Sequence, residues 1–121
     1  MGVLGVARLF ACKALWQGAG LNSAGYALLK ALGSAEADVR TVAGMFLVQA
    51  GQRAEPLIRQ AIEQGQYLPM ALTIAADIGA EELTPQIHRL TTDSDPTIAR
   101  AAREALEILA LRRGGGIPRS P

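Results

Sequence analysis

A single cysteine, Cys12, stands in the 121-residue chain, which excludes an intramolecular disulfide and any zinc site built on a cysteine cluster. One histidine, His88, is too few for a zinc centre made with imidazoles. Aromatic residues make up 4% of the chain and apolar residues 50%, with alanine and leucine prominent. A β-sandwich would draw on more valine, threonine and aromatic side chains, so close-packed helices are indicated. Long apolar runs are missing too. The longest stretch without charge, Ala14 to Leu29, has 16 residues and includes Gln17, Asn22, Ser23 and three glycines. It is too short and too polar for a spanning helix, so membrane insertion is disfavoured. Arg8 interrupts the early apolar stretch, against a secretory signal. Val6 stands where a myristoylation signal has Ser or Thr. The expectation is a soluble cytoplasmic protein.

Charge is nearly balanced overall, at +1, which gives no global drive toward nucleic acid or membrane. Its distribution is uneven. Residues 1–35 hold Arg8, Lys13 and Lys30 and no acid, whereas residues 36–111 set six arginines against eleven acids. The segment 112–121 is again basic, with Arg112, Arg113 and Arg119.

Repetition organises the rest. Glu55-Pro56-Leu57-Ile58 is echoed 29 residues later by Thr84-Pro85-Gln86-Ile87, and proline suits the first turn of a helix, where its missing N–H has no partner anyway. The same shift backward reaches Ala27-Leu28-Leu29. Apolar columns follow: Leu29, Ile58, Ile87; Leu32, Ala61, Leu90; and Val39, Leu68, Ile98, the last spaced 29 and then 30. Each unit reads as two short helices. The first helices are expected at about 22–32, 55–64 and 83–92, and the second at about 37–50, 67–79 and 96–111. Turn formers lie between them, at Gly33-Ser34, Gly65-Gln66 and Thr92 to Pro96. Gly51 and Gly79 stand where helix C-termini favour glycine, and Ser94 or Asp95 offers an N-cap before Pro96. The spacing of Ile98, Ala102, Ala105 and Leu109 is helical.

Ala37-Asp38-Val39-Arg40-Thr41-Val42-Ala43 and Asp95-Pro96-Thr97-Ile98-Ala99-Arg100-Ala101-Ala102 resemble the second-helix signature of HEAT-like repeats of the phycobilisome-lyase type. The resemblance covers roughly 22–111 and departs from the pattern in the middle unit, where Gln64-Gly65-Gln66-Tyr67-Leu68 replaces the acidic turn. It implies an all-α fold, a short α-solenoid of about three HEAT-like helix pairs, with repeats at about 22–51, 52–79 and 82–111. An N-terminal helix at 3–18 precedes them, all within one domain over 1–111, and 112–121, with three glycines and two prolines, is expected to be a disordered tail. A fold of this kind is nearly silent on function.

The N-terminal helix is apolar nearly all round, whereas an end cap of a solenoid should be polar outside. Leu4, Leu9, Phe10 and Trp16 are therefore candidates for self-association or docking. Three readings stay open: a homodimer through this helix, docking on a partner, or a chain that is the C-terminal piece of a longer array. In HEAT-like arrays the second helices line the concave surface, and that resemblance points to a partner-binding face. It comprises Arg40, Thr41, Gly44 and Val48, then Pro69, Met70, Thr73 and Asp77, then Arg100, Arg103 and Glu107. Val48 and Met70 would anchor a peptide or helix, with Arg103 and Asp77 fixing its polarity. The alternative is a solvated face.

Enzymatic constellations are scarce. HEAT-like iron hydroxylases carry repeated His-Glu pairs, and none exists here. His88 reads as a surface residue and Cys12 as an inert thiol, since no general base accompanies it. Glu81-Glu82 and Asp93/Asp95 sit at expected helix starts, where negative charge suits the helix dipole. Arg100, Arg103, Arg112 and Arg113 cluster late, but Glu104 and Glu107 lie at i,i+4 from Arg100 and Arg103, which reads as self-neutralising pairs and disfavours nucleic-acid binding. No cofactor, metal or catalytic residue is expected. The leading expectation is a non-catalytic scaffold or regulatory subunit with a protein partner. The alternatives are an accessory factor similar to the bilin-lyase and phycobilisome-associated HEAT proteins and, third, nucleic-acid binding.

Overall fold

Helical periodicity and an alanine- and leucine-rich composition lead to helices throughout the described residues. The computed structural model describes residues 2–19 and 22–113, with side chains described for 5–16 and 24–112. Among the described residues regular structure is confined to helices: α1 (Gly2–Ala19), α2 (Asn22–Lys30), α3 (Ala37–Ala50), α4 (Glu55–Gln64), α5 (Leu68–Asp77), α6 (Thr84–Leu90) and α7 (Pro96–Arg113). Short 3-10 segments at Ala31–Gly33, Gly51–Ala54 and Glu81–Leu83 connect some of them. The chain forms two compact units, Met1–Leu57 and Ile58–Pro121. Their boundary falls inside α4, the first helix of the second expected repeat, whereas the sequence suggests one domain over 1–111.

In the first unit α1 packs on α2 and α3. Leu9, Trp16, Leu28, Leu29, Val39, Phe46 and Leu47 are buried there, and burial of such side chains is the main favourable term in folding. Two glycines let α1 come close to its neighbours. A Cβ on Gly5 would lie 2.8 Å from Val39 Cγ2, and one on Gly25 would lie 2.8 Å from Trp16 Cε2 and Nε1. Both distances are closer than van der Waals contact allows, so any larger residue must push the helices apart. Arg53 adds a hydrogen bond from Nη1 to the carbonyl of Trp16 at 3.2 Å.

In the second unit α7 packs on α5 and α6. Its inner side is lined with alanine, Ala99, Ala102 and Ala105, ending in Leu109 at 1% exposure, so the helices interdigitate with small residues facing larger ones such as Leu72 and Ile87. α4 and α5 close with the same backbone device. Gly65 (φ +70°) and Gly79 (φ +71°) are left-handed. Gln66 N bonds Ala61 O at 2.8 Å and Ala80 N bonds Ala75 O at 3.0 Å, capping carbonyls that the helix leaves free. Asp95 is the N-cap of α7: its Oδ1 accepts from Thr97 N at 2.9 Å, and Asp93 Oδ1 accepts from Asp95 N at 2.8 Å.

Departures from the expected bounds have local causes. α2 ends at Lys30 and tightens to 3-10 over Ala31–Gly33. α5 starts at Leu68, not 67, because Tyr67 takes φ 53°, ψ 37°, outside the helical region. α6 stops at Leu90 rather than 92. Thr91 Oγ1 donates to His88 O at 2.7 Å and Thr92 Oγ1 to Arg89 O at 3.4 Å, hydroxyls competing for carbonyls of the last turn. α7 continues to Arg113, two residues beyond the expected end at 111; the rest of the expected tail, 114–121, lies outside the described residues.

Candidate functional site

At 100° per residue, α1 divides into an inner side holding Leu9 and Trp16 and an outer arc holding Ala7, Arg8, Phe10, Ala11, Ala14 and Leu15, all exposed. Of the four residues expected to dock, Leu9 and Trp16 are corrected. They are 5% and 3% exposed and belong to the core of their own unit, because their i,i+7 spacing aligns them toward α2 and α3. Phe10 is 56% exposed and stays a surface residue; the side chain of Leu4 lies outside the described residues. Phe10 meets the buried ring of Phe46 edge to face, centroids 5.0 Å apart at 72°, a favoured aromatic geometry. Lys13 Nζ sits 5.1 Å from the centroid of Phe46, within cation–π range.

The edge of α1 between its inner side and the outer arc borders a crevice of about 330 Å³ whose lining includes Arg8, Cys12, Lys30, Ser34, Glu36 and Val39, a volume at the low end for small-molecule sites. Arg8, at the border of the outer arc, and Cys12 share this edge by i,i+4 spacing, while Lys30 arrives from the end of α2. The crevice holds two cations, one carboxylate and a half-buried free thiol. Sequence reasoning missed it: only the Arg8–Cys12 spacing was visible, and the meeting with Lys30 and Ser34 depends on the fold.

The residues expected on the second helices fall into the two units. In the first, Thr41 is exposed, and Arg40, Gly44 and Val48 are half-buried on α3. Arg40 is partly occupied, since its Nη1 donates to the carbonyl of Ser34 at 2.7 Å. In the second, Met70 is half-buried, and Pro69, Thr73 and Asp77 are exposed on α5, as are Arg100, Arg103 and Glu107 on α7. Thr73 Oγ1 donates to Pro69 O at 3.1 Å. Arg103 Nη1 donates to the carbonyl of Thr91 at 3.0 Å, back toward the preceding turn instead of forward to Glu107 as the i,i+4 spacing suggests.

Candidate chemistry is dispersed. His88 is exposed on α6 and Glu81-Glu82 on the 3-10 turn before it, and Asp93 and Asp95 are committed to the start of α7. Among the described residues no group of three His, Cys, Asp or Glu side chains is placed to hold a metal ion, and no helix is long and apolar enough to cross a membrane. Comparison with protein-family models, with curated proteins and with solved structures finds no match.

Proposed function

We propose that the chain is a short α-solenoid of about three HEAT-like helix pairs and works as a non-catalytic scaffold that holds a protein partner on its second helices. The observation that carries the reading is the burial of repeat-related positions. Leu29, Ile58 and Ile87, spaced by 29 residues, are 4%, 0% and 0% exposed; in the other columns Leu32, Ala61 and Val39 are buried, while Leu90, Leu68 and Ile98 are half-buried. A period in which the same position is buried each time is the mark of stacked units. On the second helices the residues turned away from these columns, among them Thr41, Thr73, Asp77 and Arg100, remain in solvent, available to a partner. The free, half-buried Cys12 suits a reducing, cytoplasmic setting.

The test is comparative capture from an extract of the native cells by immobilised full-length chain, wild type against a Thr73→Arg, Asp77→Arg variant. Both positions are exposed, so helicity should be unchanged. Loss of proteins that wild type retains is expected; an identical set on both columns would refute a role for the α5 face.

A further inference from the structure

Large apolar side chains exposed to solvent stand singly on α2 and α3, at Tyr26 and Met45, and in pairs on α1 and α7. On α1, Phe10 and Leu15 are 56% and 48% exposed, set among exposed Ala7, Ala11 and Ala14 with Arg8 as the charge on that arc. On α7, the spacing of Glu104, Glu107, Ile108 and Leu111 places them on one stripe; all four are exposed, Ile108 at 38% and Leu111 at 57%. Two cations beside this stripe are turned from it, while Arg100, four residues before Glu104, stands exposed in line with it. Arg103 donates to Thr91 O, and the Arg112 guanidinium lies 3.2 Å from where a Cβ on Gly79 would stand.

We propose that these faces are the two halves of one contact, formed between α1 of one copy of the chain and α7 of a second copy. The two stripes carry their chemistry in the same order, charge first and apolar residues after. Laid parallel, they bring Arg8 to Glu104 and Glu107 while Leu15 meets Ile108 and Leu111. The alanines of α1 let the helices approach closely. Pairing α1 with the α1 of another copy gives Arg8, the charge on the arc, no acid to meet, since residues 1–35 contain none. Contacts between unlike faces either pair reciprocally in a closed two-fold dimer or leave each copy with one face open, so that association continues past the dimer. The α1 arc from Ala7 to Leu15 spans about two and a half turns, well under the ~800 Å² per partner of a standard interface, so the association is weak and concentration-dependent.

Sedimentation of the full chain at concentrations up to ~1 mM, where a Kd of that order is readily seen, decides the matter. Wild type should form reversible dimers or larger species whose share grows with concentration. Ala11→Glu and Leu111→Lys, at exposed positions and with helicity checked by circular dichroism, should each be monomeric alone. Mixed in equal amounts, they should form one-to-one dimers and nothing larger, because each retains the half that the other lacks. Arg8→Glu should weaken wild-type association about fivefold, and adding Glu104→Arg with Glu107→Arg should restore it. A monomeric wild type at ~1 mM overturns the proposal, as does a Leu111→Lys variant that associates as wild type does, which is the result for pairing of α1 with itself. A mixture that stays monomeric overturns it as well.

Discussion

Two glycines inside helices should respond to the same substitution with opposite signs. Gly25 in α2 and Gly44 in α3 both sit in helix interiors, where replacing glycine by alanine gains about 0.5–1 kcal/mol from reduced backbone freedom. Gly44→Ala should collect that gain, because an added Cβ there meets nothing within 4 Å. At Gly25 the new methyl would lie 2.8 Å from two atoms of the Trp16 indole and 3.1 Å from Leu57 Cδ1. Trp16 is 3% exposed and Leu57 7%, so neither can swing into solvent. Overpacking of this kind costs about 1–3 kcal/mol, and subtracting the helical gain leaves a net loss of about 1–2 kcal/mol. At roughly 4 °C per kcal/mol for a domain of this size, Gly25→Ala should lower the thermal midpoint by about 4–8 °C. Gly44→Ala should raise it by about 2–4 °C. Urea unfolding followed by circular dichroism and by Trp16 fluorescence would measure both. A Gly25→Ala chain as stable as the Gly44→Ala chain would refute the Trp16–Gly25 contact and with it the described seating of α1 on α2.

On α7 the two leucines near its end should separate by burial. Leu109→Ala, at 1% exposure, should cost about 2–5 kcal/mol, while Leu111→Ala, at 57% exposure, should stay within about 0.5 kcal/mol of wild type; equal effects in chemical denaturation would contradict the described rotation of α7. Asp95→Ala should lose about 1 kcal/mol with the cap on Thr97 N, and Asp95→Asn should keep most of it, readable as faster amide exchange at Thr97 in the alanine variant alone.

The helix pattern was legible where punctuation and periodicity agree. α3 and α4 have the bounds expected of them, 37–50 and 55–64, because Gly51, Pro56 and Gly65 mark their ends by backbone restrictions that act whatever the neighbours are. Tyr67 was not legible as a helix stop: nothing about a tyrosine announces φ 53°. The rotation of α1 was equally hidden. With apolar residues round the whole helix, periodicity could not say that Leu9 and Trp16 face the core and Phe10 and Leu15 do not. What decides it is space left by Gly5 and Gly25, and a missing side chain carries no hydrophobic signal. Exposure of Thr73, Asp77 and Arg100 was readable from their offset to the buried columns. That Arg40 and Arg103 bond backbone carbonyls was not, since such bonds depend on where a turn happens to pass.

Those two arginines have a consequence for how the turns can drift over evolutionary time. Arg40 reaches back six residues to Ser34 O and Arg103 twelve residues to Thr91 O, each tying a second helix to the end of the segment before it. A backbone hydrogen bond would demand a fixed number of residues between its partners. A long side chain with several rotatable bonds has slack, so the tether accepts loops of different length and still brings the same kind of group to the same kind of acceptor. The extra residue in the last turn, where the spacing goes from 29 to 30, is the sort of insertion such a tether absorbs. The two turns crossed by such a tether should therefore accept a residue gained or lost while the helices they join keep their places, which an unchanged thermal midpoint after a one-residue insertion at Ser94 would show.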